Sequence, residues 1–203
     1  MTSPTSSALT SPLFGNPSAV ACERAVAELR AGRPVRLGAS DGRQLVVLAL
    51  DCATPASYAA FAASAGQQHQ LLITAERAAV LGDRRGHSLR LPLAGIAHDA
   101  LPALAWLRPG TTPEALLAQA QAGQPDLDEA AVELAWLALL LPALVVLPLE
   151  QDLPGWRDAY LLPIERLQQA PAGDHYELVA RTPVPLREIG WSEFVVFRGG
   201  IAQ

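Results

Sequence analysis

The chain is predicted to be an α+β protein, a mixed sheet with helices packed on it, and three observations carry that prediction. Short apolar runs alternate with stretches of helical periodicity through most of the 203 residues. Asp41-Gly42 sits between two of those runs, a strong signal for a two-stranded hairpin. Leu134–Leu149, sixteen residues without a charge between Glu133 and Glu150, divides at Pro142 into a helical half and a β-branched half.

The elements follow along the chain. Residues 1–15, which open MTSPTSSALTSP, have neither a basic segment nor a long apolar one, so they read as a disordered leader and not as a secretory signal. Asn16-Pro17 supplies a cap and a first-turn proline, and Val20, Cys22, Val26 and Leu29 recur near helical spacing until Gly32, which predicts a helix over Pro17–Ala31. Val35–Leu37 and Leu45–Leu50 are the two hairpin strands. Thr54-Pro55 caps a second helix carrying Tyr58 and Phe61. Gln70–Ile73 is a strand, and Thr74 opens a short helix that Gly82 ends. Ser88–Leu93 is another strand. Asp99–Leu107 and Thr112–Ala122 are helical, the latter with Pro113 in its first turn and Gly123 just past its end. Asp126 or Asp128 starts the central helix, which runs until Pro142 stops it, and Ala143–Leu149 is a strand buried on both faces. A weak helix near Ile164–Gln169 and strands at Tyr176–Arg181 and Phe194–Phe197 complete the order. A transmembrane span at 134–149 is the competing reading, and the sequence argues against it, since a span needs about 20 apolar residues and two prolines interrupt this one.

Composition narrows the chemistry. Half of the residues are hydrophobic and 17% are charged, enough for a substantial core. A net charge of −5 without a basic cluster argues against nucleic acid and anionic membrane as partners. All fifteen basic residues are arginine, which rules out a phosphate-loop lysine and any lysine Schiff base. Cys22 and Cys52 cannot make a metal site alone and are expected to be reduced and packed, as in a cytoplasmic protein.

Several segments, taken together, bring a resemblance. Glu23–Val35 contains Arg30-Ala31-Gly32-Arg33-Pro34-Val35; Asp51-Cys52-Ala53-Thr54-Pro55 starts the second helix; Leu71–Ala78 reads LLITAERA and is followed by Leu81-Gly82. Leu107-Arg108-Pro109-Gly110 and Asp128–Ala135, DEAAVELA, come next in order. These five segments resemble 3,4-dihydroxy-2-butanone 4-phosphate synthase, a riboflavin-pathway enzyme with "R-A-G-R-P-V", "A-x-x-A-T-P-E", "C-V-A-L-T-x-E-R-A", "V-R-P-G-H" and "H-T-E-A-A-V-D-L-A" at the matching places. Thr182–Leu186 and Trp191–Arg198 resemble the linker and first strand that lead into GTP cyclohydrolase II, often fused behind the synthase. The resemblance therefore implies a leader over 1–15, a synthase-like domain over 16–170, and the start of a cyclohydrolase over 171–203. The zinc cysteines of the cyclohydrolase are absent, for no cysteine follows Cys52.

The same resemblance shows what has been lost. The synthase hairpin carries "D-D-E-D-R-E-N-E-G-D", which binds magnesium, and hard cations need such clustered oxygen ligands. Here the hairpin is Leu37–Gln44 with a single acid, Asp41, which reads as a turn residue. The family's metal-binding histidine falls on Leu127, and its catalytic glutamate falls near Pro148, and neither side chain can ligate a metal or shuttle a proton. No catalytic residue, metal site or cofactor is expected. His69, His87, His98 and His175 are scattered and read as surface or hydrogen-bonding residues, Glu129 and Glu133 as a capping box and solvent face, and the four tryptophans as core or interface anchors. The only local positive spot is Arg84-Arg85, and with Arg108 these are the candidate ligand-binding residues.

The expected function is a non-catalytic synthase-like scaffold, dimerisation or regulatory domain associated with a GTP cyclohydrolase II domain or subunit, and this chain is expected to form a homodimer. The alternative is that the old cleft serves another phosphorylated metabolite or nucleotide, anchored by the three arginines.

Overall fold

A computed structural model describes residues 15–107, 114–149, 154–170, 177–187 and 190–198. Its centre is a seven-stranded sheet of β1 (Val35–Gly38), β2 (Gln44–Ala49), β3 (Gln70–Ile73), β4 (Leu89–Pro92), β5 (Gln121–Ala122), β6 (Ala143–Leu149) and β7 (Tyr160–Pro163), in the order β5-β4-β3-β6-β2-β1-β7. All neighbours are antiparallel except β1 and β7. The sheet is mixed and covered by helices, as the sequence predicts. The central strand β6 pairs with β2 from Leu144–Ala49 to Leu149–Gln44, and with β3 from Ala143–Ile73 to Val146–Gln70.

Alternation along these strands sorts the core into two layers. Leu45, Val47, Leu72, Leu144 and Val146 face α1 (Pro17–Arg30) and α6 (Pro125–Leu137), while Val46, Leu48, Leu71, Ile73, Val145 and Leu147 face Tyr58, Phe61, Leu101 and Trp156. Each fully buried Leu or Val contributes roughly 1.5–3 kcal/mol, so a strand that buries both faces, like β6, contributes twice over per unit length.

The helix boundaries follow local chemistry. α1 ends one residue earlier than predicted; Asn16 caps it by accepting from Ser18 N and Ala19 N, and Gly32 leaves it at φ +67. Only glycine fits at Gly32, because a Cβ there would lie 2.6 Å from the Cys52 carbonyl oxygen. α2 (Pro55–Ser64) carries a reciprocal capping box between Thr54 and Ser57, and Thr74 caps α3 (Ala75–Val80). A 3-10 turn, His98–Ala100, leads into α4 (Leu101–Ala105). The hairpin turn holds Gly42 at φ +91, and Asp41 accepts from Arg43 N at 3.0 Å, the predicted turn role.

Four expectations are corrected. The helix predicted over Thr112–Ala122 is shorter: α5 spans Glu114–Ala118, and Gln121–Ala122 leave it to extend the sheet beside β4, while Pro113 lies outside the described residues. α6 is not capped by an aspartate; Gln124 precedes it, Pro125 takes the first position, and Asp126 and Asp128 lie in the first turn. α6 also stops at Leu137, ahead of Pro142, because Leu139 adopts φ +54 and turns the chain. Finally, β7 has no counterpart in the sequence reading. It precedes α7 (Ile164–Gln169), which matches the predicted helix, and its pairing with β1 joins residues more than a hundred positions apart.

β8 (Glu177–Leu186) and β9 (Gly190–Arg198) form a separate two-stranded ribbon. Pro183 and Pro185 are tolerated in β8 because a ribbon leaves each strand one unpaired edge. The leader, apart from Gly15, lies outside the described residues. No helix among the described residues is long and apolar enough to cross a membrane.

Candidate functional site

The exposed face of α6 forms one wall of a cleft of about 820 Å³, closed on the other sides by the start of α3, by Gly86–Ser88 ahead of β4, and by Ala122-Gly123. Helical spacing puts Glu129, Val132, Glu133 and Trp136 on one stripe of that wall. Glu76, in the first turn of α3, faces it; its carboxyl is held below the ordinary range by a backbone N–H and by the Thr74 hydroxyl. Trp136 is 58% exposed. His87 and Ser88 complete the rim, and among the described residues no arginine lines the cleft.

Beneath the stripe lies a buried ion pair. Asp128 on α6 is fully buried, Arg90 on β4 nearly so, and Oδ1 of Asp128 accepts from both Nε (2.9 Å) and Nη2 of Arg90. Burial pushes the Asp128 carboxyl above its ordinary range, and the Arg90 guanidinium pulls against it. Oδ2 of Asp128 has no hydrogen-bond partner, and it lies against Gly123 where both residues line the cleft. Next to it Gln70 Nε2 donates to Gln121 Oε1 at 3.0 Å, while Gln70 Oε1 and Gln124 Oε1 are buried without partners. Sequence reasoning passed over this pair, although an arginine between two buried leucines of a strand was a usable sign.

At the start of α6 the first hairpin makes its own contact. Arg43 donates from Nη1 to Asp126 Oδ1 (3.2 Å) and from Nη2 to Asp126 Oδ2 (2.7 Å), and from Nε to Asp41 (2.6 Å). The guanidinium holds both carboxyls below the usual aspartate range. Hairpin and helix are thus joined by a fixed cation belonging to the chain.

Of the three arginines singled out in the sequence, Arg84 is exposed on the loop before β4 and lies off the cleft lining. Arg85 folds back on Asp83 (Nε to Oδ1, 2.6 Å) and reaches the Ala120 carbonyl at 3.3 Å, also off the lining. Arg108 and His175 lie outside the described residues. The structure does not bring Arg84 and Arg85 to one pocket wall. His69 is buried against Tyr58, His98 Nε2 is 3.0 Å from the Ala53 carbonyl, and His87, at the cleft rim, has Nδ1 3.2 Å from the Arg85 carbonyl. Trp156 is a core anchor, but Trp136 and Trp191 are exposed. The capping box expected from Glu129 is not formed, since Gln124 accepts no side-chain cap bond; Glu129 and Glu133 are exposed, as expected, and line the cleft. Among the described residues no three His, Cys, Asp or Glu side chains gather as a metal site.

No family model matches the chain. The chain is 46% identical over 194 residues, 94% of its length, to a protein named GTP cyclohydrolase-2 from Xylella fastidiosa, and 45% identical over the same extent to its counterpart in a second strain. It spans about half the length of these curated relatives, 48% of each. Among solved structures, a two-domain 3,4-dihydroxy-2-butanone 4-phosphate synthase from A. baumannii superposes with a TM-score of 0.53 at 18% identity, over 88% of this chain and 66% of that one. The synthase of Candida albicans gives 0.51 at 18% identity, over 72% of this chain and 95% of that one. The fold is that of the synthase, as the sequence resemblance implies.

Proposed function

We propose that this chain is the synthase-like part of a GTP cyclohydrolase-2-type protein of riboflavin biosynthesis, and that it acts there as a non-catalytic scaffold, dimerisation or regulatory domain. The observation that carries this reading is the Arg43–Asp126 ion pair. The synthase resemblance calls for an acidic, magnesium-binding hairpin facing the start of this helix. Here the hairpin offers one acid, Asp41, already bound to Arg43, and the helix offers Leu127 where the resemblance asks for a histidine. Leu127 is buried in the core and has no donor atom. These residues do not fit magnesium.

The cleft beside them supports the same reading. Among the described residues Glu76, Glu129 and Glu133 line it and no arginine does, so a sugar phosphate or nucleotide entering it meets like charge on these walls. The reading that Arg84, Arg85 and Arg108 anchor a phosphorylated metabolite gains no support from this wall. A dimeric scaffold is supported by apolar side chains left on the surface, among them Leu107, Leu139, Leu141 and Leu161.

Incubation of the chain with ribulose 5-phosphate and magnesium tests the non-catalytic part. No loss of ribulose 5-phosphate beyond the buffer blank is expected, and steady turnover overturns the proposal. Light scattering on the size-exclusion peak tests the dimer: twice 21.5 kDa is expected, and a single-chain mass removes dimerisation from the role.

A further inference from the structure

The same cleft has the wrong charge for the substrate class of the synthase but a built complement for the opposite one. Three carboxylates, Glu76, Glu129 and Glu133, open onto it, and among the described residues none of the three has an arginine partner. Trp136 offers an exposed indole one helical turn beyond Val132 and Glu133. Such a ring attracts a desolvated cation through its negative face, and carboxylates beside it add charge. The second observation is independent of this surface cluster. Asp128, fully buried at the cleft wall, keeps Oδ2 without a donor, where native proteins leave few buried acceptors unpaired. Only the backbone of Gly123 stands against that oxygen, since a Cβ there would lie 1.4 Å from it.

We propose that the cleft binds a free aliphatic polyamine, its ammonium groups shared among Glu76, Glu129 and Glu133 and its chain laid on Trp136 and Val132. One ammonium group that reaches the cleft wall supplies Asp128 Oδ2 with its missing donor. The volume of about 820 Å³ falls in the range of small-molecule sites and leaves room for a flexible chain of this kind. Nothing in this inference depends on whether the chain turns over a sugar phosphate, so either reading can fail without the other.

Calorimetric titration of the full chain with spermidine at low salt is the test, with sodium pyrophosphate as the anionic arm. Saturable binding of spermidine at one site per chain is expected, with no binding of pyrophosphate in the cleft. The double variant Glu129→Gln/Glu133→Gln should weaken spermidine at least tenfold, and Trp136→Leu several-fold. All three side chains are exposed, so an unchanged melting temperature verifies folding. A control that removes two acids outside the cleft, Glu23→Gln/Asp99→Asn, should retain the wild-type affinity. Absence of saturable spermidine binding overturns the proposal. Equal weakening in the control pair also overturns it, because it assigns the effect to the net charge of −5.

Discussion

Gly123 and Asp128 share one space: a Cβ on Gly123 would lie 1.4 Å from Asp128 Oδ2 and 2.9 Å from Arg90 Nε. The glycine that reads in sequence as a helix stop is required here because a buried carboxylate fills the place of its side chain. Gly123 has no left-handed φ to explain it, so the reason is packing.

Gly123→Ala is therefore expected to destabilise the fold by about 1–3 kcal/mol, the usual cost of forcing extra volume into a packed site. Asp128→Ala should cost about 3–5 kcal/mol, since it leaves the Arg90 guanidinium buried without its partner. The two losses should not add, because removal of the carboxylate makes room for the methyl group. Urea denaturation of both single variants and the double variant checks this. Strict additivity would show that the clash is relieved elsewhere.

His69 predicts an acid limb in the stability of the fold. Tyr58 donates its hydroxyl to the Ile96 carbonyl at 2.9 Å, so the 3.0 Å contact with His69 is one in which Nε2–H donates to the phenol oxygen. Nδ1 is then the bare nitrogen, and it is buried with no partner. Burial holds the imidazole below its ordinary pKa, so the unfolded chain takes up the proton first. Stability is complete above about pH 6.5, the unfolded value, and falls as the pH drops from there toward the folded value. Urea midpoints at pH 7.5, 6.5 and 5.5 should decline more steeply in the wild type than in His69→Gln. Parallel declines would remove His69 as the cause.

How much of this was legible depended on the range of the forces involved. Ala143–Leu149 and Ile164–Gln169 were readable to the residue, since a β-branched run and a short apolar repeat are local signals. So was the Asp41-Gly42 turn. β7 was not, because Tyr160–Pro163 is a strand only by virtue of the parallel pairing with β1, and a four-residue segment ending in proline carries no pattern of its own. Gln121–Ala122 continue a helical composition and are drawn into the sheet by β4. At the site, Arg43 and Asp126 are 83 positions apart, and Arg90 and Asp128 are 38 apart, so neither pairing could be seen in the chain. The stripe of Glu129, Glu133 and Trp136 was visible, but which way it faced was not.

The two thiols should separate cleanly by reactivity. Cys22 is fully buried, donates to the Arg166 carbonyl at 3.7 Å, and has its pKa pushed up to about 11, first by burial and then by the charges of Glu133 and Glu23. Cys52 is only half-buried and its thiol is raised by burial as well. The thiolate is the reactive form, so neither is fast, but only Cys52 is accessible. Titration with a disulfide reagent at pH 7.5 should count one thiol in the native chain and two in denaturant. Two prompt thiols under native conditions would mean that the packing of α1 on α7 opens readily.

Four helices end in the same way, and one of them does so with the wrong residue. After α1, α2, α3 and α6 the chain turns through left-handed positions at Gly32, Gly66, Gly82 and Leu139, and in each case the next N–H returns to a carbonyl five residues back, as Leu140 N does to Ala135 O. Glycine takes this conformation without strain, whereas a residue with a Cβ is held there at a cost of roughly 1–2 kcal/mol. Leu139 is 71% exposed at φ +54, so it recovers little of that cost by burial. Leu139→Gly removes the strain but gives the unfolded chain more freedom, which offsets part of the gain. The net expectation is stabilisation by about 0.5–1 kcal/mol, or a melting temperature higher by roughly 1–4 °C for a chain of this size. Leu139→Ala is the informative control, because it loses the same exposed side chain and keeps the Cβ. It should show no gain. If Leu139→Ala stabilises as much as Leu139→Gly, the benefit comes from removal of surface leucine, and the left-handed turn carries no strain.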